Sequence, residues 1–128
     1  MFTSKFLTFR YESVTKEEDF KSWYDAKRYC QAHGGRLMEV RTLEQFEKAK
    51  TFQIPGLNKG PWLGGNDFDT EGVWVWNSDR EQIDMGRYWR RGQPGSDYGN
   101  EDCLFMHGDG LQDGLCRLPA PFVCEFFF

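Results

Sequence analysis

Four cysteines, at positions 30, 103, 116 and 124, are the residues whose type and spacing most constrain the chemistry of this chain. None forms a C-x-x-C pair, and only two histidines, His33 and His107, accompany them. Zinc–thiolate sites use closely spaced, paired ligands, so a metal-thiolate reading is weak. Two disulfides made in an oxidising compartment fit the count better, which places the protein outside the cell. Cysteines held in disulfides cannot act as nucleophiles. No G-x-S-x-G, H-E-x-x-H or phosphate-cradling glycine loop is present, and Gly108-x-Gly110 reads as a flexible turn, so no enzyme activity is expected. The remaining candidate chemistry is that of side-chain oxygens, which gather in long glycine- and acid-rich loops after Pro61.

Those loops need a frame. Phe6-Leu7-Thr8-Phe9-Arg10-Tyr11 alternates in part, as a half-buried strand does. Ser22 to Ala32 predicts a helix with Trp23, Ala26, Tyr29 and Cys30 facing inward, stopped by Gly34-Gly35. Thr42 followed by Gln45 is a capping-box pattern that opens a second amphipathic helix along Leu43, Phe46, Ala49 and Lys50, ended by Pro55-Gly56. Beyond Pro61 the apolar pieces are short: Trp62-Leu63, Val73-Trp74-Val75-Trp76, Cys103-Leu104-Phe105-Met106 and Phe122-Val123-Cys124. Two helices followed by several short strands describe an α+β fold. The segment from Asn77 to Asn100 is too long for a simple connection, and loops of that length are usually functional.

Bulk properties set further bounds. The 128 residues fit one domain, 1–128, with no internal repeat or linker, and at 17% aromatic content the core should be rich in Phe, Trp and Tyr. A net charge of −4 and a pI near 5.2 argue against nucleic acid as a partner, because phosphate needs a basic face. Arg87, Arg90 and Arg91, around Tyr88 and Trp89, read as solvated surface. No apolar run approaches the roughly 20 residues of a membrane span. Met1-Phe2-Thr3-Ser4-Lys5 lacks the apolar middle of a secretory leader, so Met1 is expected to stand where a leader has been removed.

A series of motifs along the chain resembles the C-type lectin family. They run Trp23-x-x-Ala26-x-x-x-Cys30, Gly34-Gly35-x-Leu37, Trp62-Leu63-Gly64-Gly65-Asn66-Asp67 and Gly72-x-Trp74-x-Trp76. Trp89 ahead of Gly92-Gln93-Pro94, then Glu101-Asp102-Cys103, Asp113-x-x-Cys116 and Val123-Cys124-Glu125 complete the order. The resemblance covers nearly the whole chain. It implies a double-looped domain with two helices, short antiparallel strands and a long ligand-binding loop region. It also implies disulfides Cys30–Cys124 and Cys103–Cys116, the short form of the family. These close loops of about 94 and about 13 residues, contributing on the order of 4–5 and 3 kcal/mol in the chain-entropy model. Trp62, Trp74, Trp76 and Trp89 are implied core residues, and His33 closes the first helix.

The family's sugar-binding calcium site takes side chains from an E-P-N or Q-P-D motif, a later Glu and an Asn-Asp pair. The matching positions here are Gln93-Pro94-Gly95, Glu101 and Gln112-Asp113, so Ca2+ is the implied cofactor and Gln93, Glu101, Gln112 and Asp113 its ligands. In the family the proline is cis and aims both flanking side chains at one point. Three positions depart from the pattern. Gly95 has no oxygen-bearing side chain, Gln112 replaces Asn, and Leu111, or a deletion beside it, replaces the usual Trp. About five protein oxygens remain, to be completed by water, sugar hydroxyls or a neighbour such as Asp97. Tyr98, two residues after Ser96, would stack on a sugar ring or be an ordinary loop tyrosine. His107 would touch ligand or lie on plain surface. An auxiliary calcium site is implied at Asp67, Glu71, Glu101 and Asp102, where carboxylates converging without a cation would repel one another. The alternative is that Asp67 and Glu71 sit on a solvated loop near Arg87 or Arg91.

Two functions follow as expectations. The first is a secreted, calcium-dependent lectin binding glycans through Gln93, Tyr98, Glu101, His107, Gln112 and Asp113, leaning to galactose or N-acetylgalactosamine, with room for homo-oligomerisation. The second is a protein-binding module of the same fold that has lost calcium-dependent sugar binding, which Gly95 and Leu111 favour.

Overall fold

The computed structural model describes residues 9–57, 60–84, 88–89 and 102–127. Its elements are β1 (Phe9–Val14), α1 (Trp23–Ala32), β2 (Arg36–Leu37), α2 (Leu43–Lys50), β3 (Trp62–Asn66), β4 (Val75–Trp76), β5 (Cys103–His107), β6 (Gly110–Gly114) and β7 (Phe122–Phe127). The main strands form one sheet in the order β1-β7-β3-β5-β6, with β2 added to β7 and β4 to β3. All these pairings are antiparallel except the single parallel contact of β3 with β7 at Trp62 and Phe122.

The helices begin and end where their capping residues stand. Ser22 accepts from the Asp25 amide and starts α1, whose buried face is Trp23, Ala26 and Cys30. Thr42 and Gln45 form the reciprocal capping box of α2, each side chain satisfying an amide that the helix leaves unpaired. Leu43 departs from the expected inward stripe and is 57% exposed. At 3.6 residues per turn it lies about 120° around the helix from Ala49, too far to share a face two turns long. The opening strand also differs from its expected extent. Phe6 to Thr8 lie outside the described residues, and β1 continues to Val14 because β7 pairs with it as far as Phe122.

Strand alternation gives each face of the sheet its own core. Trp62, Phe105, Phe122 and Phe126 pack with Trp23, Ala26 and Cys30 of α1. Leu63, Leu104, Met106, Leu111 and Val123 pack on the other side with Phe46 and Ala49 of α2 and with Trp74 and Trp76. Trp89, expected in the core, is only partly buried and meets Trp74 edge-on at 5.3 Å. Cys30–Cys124 and Cys103–Cys116 are both formed, so the α1 core carries both covalent links. The turn at Gly108-Asp109, expected to be flexible, is a tight two-residue hairpin between His107 and Gly110. The Gln53 side chain accepts from the Gly108 amide and donates to its carbonyl, both at 2.7 Å.

One polar network runs through this apolar interior. Glu39 and Glu125 are buried, and the Arg36 Nε donates to Glu125 at 2.7 Å. Arg41 Nη2 donates to Glu39 at 2.6 Å, and the Ser78 amide and hydroxyl donate to the same carboxylate at 3.0 and 2.8 Å. Glu125 Oε1 is left without a donor. Burial pushes the Glu125 carboxyl up to about 7 despite the opposing pull of Arg36. A carboxyl raised in the folded state gives stability that is complete below the unfolded value near 4.5 and is lost as pH rises through about 7. Glu125→Gln should therefore flatten the fall in melting temperature between pH 4.5 and 8. The variant should be more stable than the parent at pH 8 by on the order of 1–3 kcal/mol. Calorimetric scans at several pH values check this, and parallel profiles for the two proteins would refute it.

Candidate functional site

The register of β3 against β5 creates the first candidate site. Asn66, last in β3, lies opposite Cys103, first in β5, so Asp67 and Asp102 meet just past the strand ends. The Asp67 amide donates to the Asp102 carbonyl at 3.2 Å. Asn66 Oδ1 accepts from the Phe68 amide at 3.2 Å and turns the chain out of the strand. Five residues on, the Gly72 amide returns to Asp67 Oδ2 at 2.9 Å. Gly72 has φ +84°, a conformation that a side chain would strain, so glycine here is what lets the loop fold back. The return sets Glu71 over Asp67, and the Asp69–Arg80 ion pair ties down the loop's outer side.

One carboxylate oxygen each from Asp67, Glu71 and Asp102 lie within 4.8 Å of one another. Asp67 is only 2% exposed, Asp102 is half-buried and Glu71 is exposed. Asp67 Oδ1 and Asp102 Oδ1 are buried without a hydrogen-bond donor. Burial first, then the neighbouring Asp67 and Glu71 carboxyls, push Asp102 up to about 7. Glu71 is raised as well, chiefly by sharing a hydrogen bond with Asp67. Three of the four residues of the expected auxiliary set are thus brought together. The fourth, Glu101, lies outside the described residues, as do Arg87 and Arg91. Three hard oxygen donors, two of them with buried, undonated oxygens, suit a cation such as Ca2+.

The second expected set is only partly within the described residues. Gln112 and Asp113 lie on β6, opposite Phe105 and Leu104. Asp113 is buried and Gln112 half-buried. Leu111 is fully buried, and its amide donates to the Tyr88 carbonyl at 2.8 Å. A parallel bridge between Trp89 and Leu111 lays the start of the long loop beside β6. His107 ends β5 with its ring 6.0 Å from Phe105. Gln93, Gly95, Asp97, Tyr98 and Glu101 lie outside the described residues. The positioning roles of Asn66 and Gly72 were missed. Their signal was an Asn directly before Asp67 and a Gly directly after Glu71, both common in tight turns.

Fold and motif define a small α+β domain whose polar side chains gather where loops leave the sheet. The chain belongs to the C-type lectin domain family: residues 19–126 match the family model described as the lectin C-type domain. It is 29% identical over 106 residues to the CD209 antigen of Pongo pygmaeus, covering 82% of this chain and 26% of that protein. The chain thus spans about a quarter of that relative's length. The mouse scavenger receptor C-type lectin carbohydrate-recognition domain shares the fold, with a TM-score of 0.78 at 24% identity over 91% of this chain and 88% of that one. A calcium-independent type II antifreeze protein does so as well, with a TM-score of 0.72 at 22% identity over 93% and 85% of the two chains. No helix among the described residues is long and apolar enough to cross a membrane.

The crowding of the three carboxyls has a direct readout. In protein stripped of divalent cations, carbon-detected NMR titration should place the Asp102 midpoint near 7. Asp67→Asn should move it down towards the ordinary value of 3.8, because one neighbouring negative charge is gone. An Asp102 that titrates near 3.8 in the parent protein would contradict the geometry.

Proposed function

We propose that this chain is a calcium-dependent carbohydrate-binding domain acting outside the cell, and that its function is binding rather than catalysis. The observation that carries the reading is the Asp67–Glu71–Asp102 cluster with its two buried, undonated oxygens. Asp67, Glu71, Asp102 and Glu101 would hold one Ca2+. Gln93, Glu101, Gln112 and Asp113 would hold the ion that two adjacent sugar hydroxyls coordinate, with Tyr98 and His107 as further carbohydrate contacts. The bound ion would supply positive charge and free coordination positions for those hydroxyls. The chain's own oxygens would accept hydrogen bonds from those hydroxyls, and the Gln93 amide would donate to a sugar oxygen.

Two departures, Gly95 and Leu111, support the rival reading of a protein-binding module without calcium, as does the shared fold of a calcium-independent antifreeze protein. Calcium titration separates the two. Binding in the range of about 10⁻⁴–10⁻³ M, weakened at least roughly tenfold by Asp67→Asn, supports the first reading. Elution from sugar-coated beads by a chelator should accompany it. No calcium heat at millimolar ion, with no rise in melting temperature, favours the rival.

The sugar preference rests on hydrogen-bond sense. Each coordinated hydroxyl donates to one protein group and accepts from another, so exchanging acid and amide across the site reverses the orientation that is satisfied. Gln93 keeps the amide at the first motif position, which leans to galactose or N-acetylgalactosamine, while Gly95 removes the opposing acid and lowers selectivity. A glycan array should rank terminal galactose above mannose. Gln93→Glu combined with Gly95→Asn should reverse that order, and an unchanged ranking would rule the assignment out.

A further inference from the structure

Beside the acid cluster, but outside it, three stretches of chain enclose a cleft of about 210 Å³ lined by Tyr24, Asp102, Leu115, Cys116 and Arg117. We infer that this cleft is a second glycan subsite, for a pyranose that carries a carboxylate or a sulfate.

The walls are held by strong local constraints. Asp102 immediately precedes Cys103 and Arg117 immediately follows Cys116, so the Cys103–Cys116 disulfide yokes the two charged residues together. The Trp23 amide donates to the Cys116 carbonyl at 2.8 Å, which fixes the start of α1, and with it Tyr24, against the same loop. Tyr24 is 43% exposed although it carries a large ring. It stacks on Phe68 at 5.7 Å with 13° between the planes, and both rings meet Trp23 edge-on. An exposed aromatic ring so braced loses little freedom on binding and suits the apolar face of a sugar.

Charge selects the kind of sugar. Arg117 is exposed and is the cationic residue among those that line the cleft. It takes part in none of the ion pairs among the described residues. A guanidinium matches the paired oxygens of a carboxylate or sulfate in geometry as well as in sign. Asp102, whose side chain also lines the cleft, would repel such a group when ionised, as would the neighbouring Asp67 and Glu71 carboxylates. A divalent cation on those three carboxylates removes the repulsion. Acidic-sugar binding is therefore coupled to the cation, and to this extent the inference rests on the calcium reading above.

The test titrates the full chain, in millimolar calcium, with glucuronic acid, galactose 6-sulfate and galactose. The two acidic sugars should bind more tightly than galactose, and whichever binds better identifies carboxylate or sulfate as the preferred group. Arg117→Gln should cut their affinity on the order of tenfold and leave galactose binding unchanged. Tyr24→Ala should weaken both acidic sugars, and removal of calcium should weaken them in the parent protein. Acidic sugars that bind no better than galactose overturn the inference, as does an advantage that survives in Arg117→Gln. A tetraglutamate peptide that binds through Arg117 when neither sugar does overturns it in favour of a protein partner. A calcium titration that shows no ion binding identifies failure of the parent reading separately, because Arg117→Gln is read against the same protein in the same buffer.

Discussion

Strand β3 is buried along all five residues and pairs with three other strands, and the chemistry of this domain depends on its register. With Asn66 opposite Cys103, the residues just past the strand ends are Asp67 and Asp102. A slip of one position would exchange every inward and outward side chain of β3 and carry Asp67 away from its partner. The register is enforced by contact at close quarters. A Cβ on Gly65 would lie 2.7 Å from Leu104 Cδ2 and 2.9 Å from Ile83 Cδ1, so a side chain there would require the ends of those two side chains to shift. The pairing of β3 with β5 therefore decides where two carboxylates meet.

Two groups of acids lie in or beside the core, and they are treated differently. Glu39 and Glu125 are buried together with cations that the chain supplies, Arg36 and Arg41, and with donors from Ser78. Asp67, Glu71 and Asp102 are drawn together with no arginine or lysine bridging them among the described residues. Carboxyls in such an arrangement answer in one of two ways: they hold protons at pH values where they are normally ionised, or they take up an external cation. The upward shift at Asp102 is the first answer, and the undonated oxygens leave room for the second.

Much of this frame was legible from local pattern. Ser22, Thr42 and Gln45 announce the helix starts because capping acts over three residues. The apolar pieces after Pro61 became β3, β4, β5 and β7 because burial on both faces of a sheet leaves short continuous apolar runs. The two disulfides came from family resemblance, since connectivity is not deducible from cysteine count. The Arg36–Glu125 pair was not legible, since it joins residues 89 apart in sequence. Nor was the clamp of Gln53 on Gly108, which converts an apparently loose glycine turn into a fixed hairpin. Leu43 misled because a two-turn helix buries a narrower stripe than its apolar positions suggest.

The Cys103–Cys116 disulfide gives the site region its rigidity, and it does so on behalf of residues that carry no sulfur. It joins the start of β5 to the loop after β6, and the Trp23 amide ties that same loop to α1. Asp102 consequently belongs to two environments. One face of its carboxyl meets Asp67 and Glu71, while its side chain also lines the cleft with Tyr24 and Arg117. On the inference drawn above, a change in charge at the acid cluster acts on the cleft through field alone, without any movement of the backbone. Coupling of this kind needs a rigid frame, because any relaxation that let Asp102 swing into solvent would screen the interaction away.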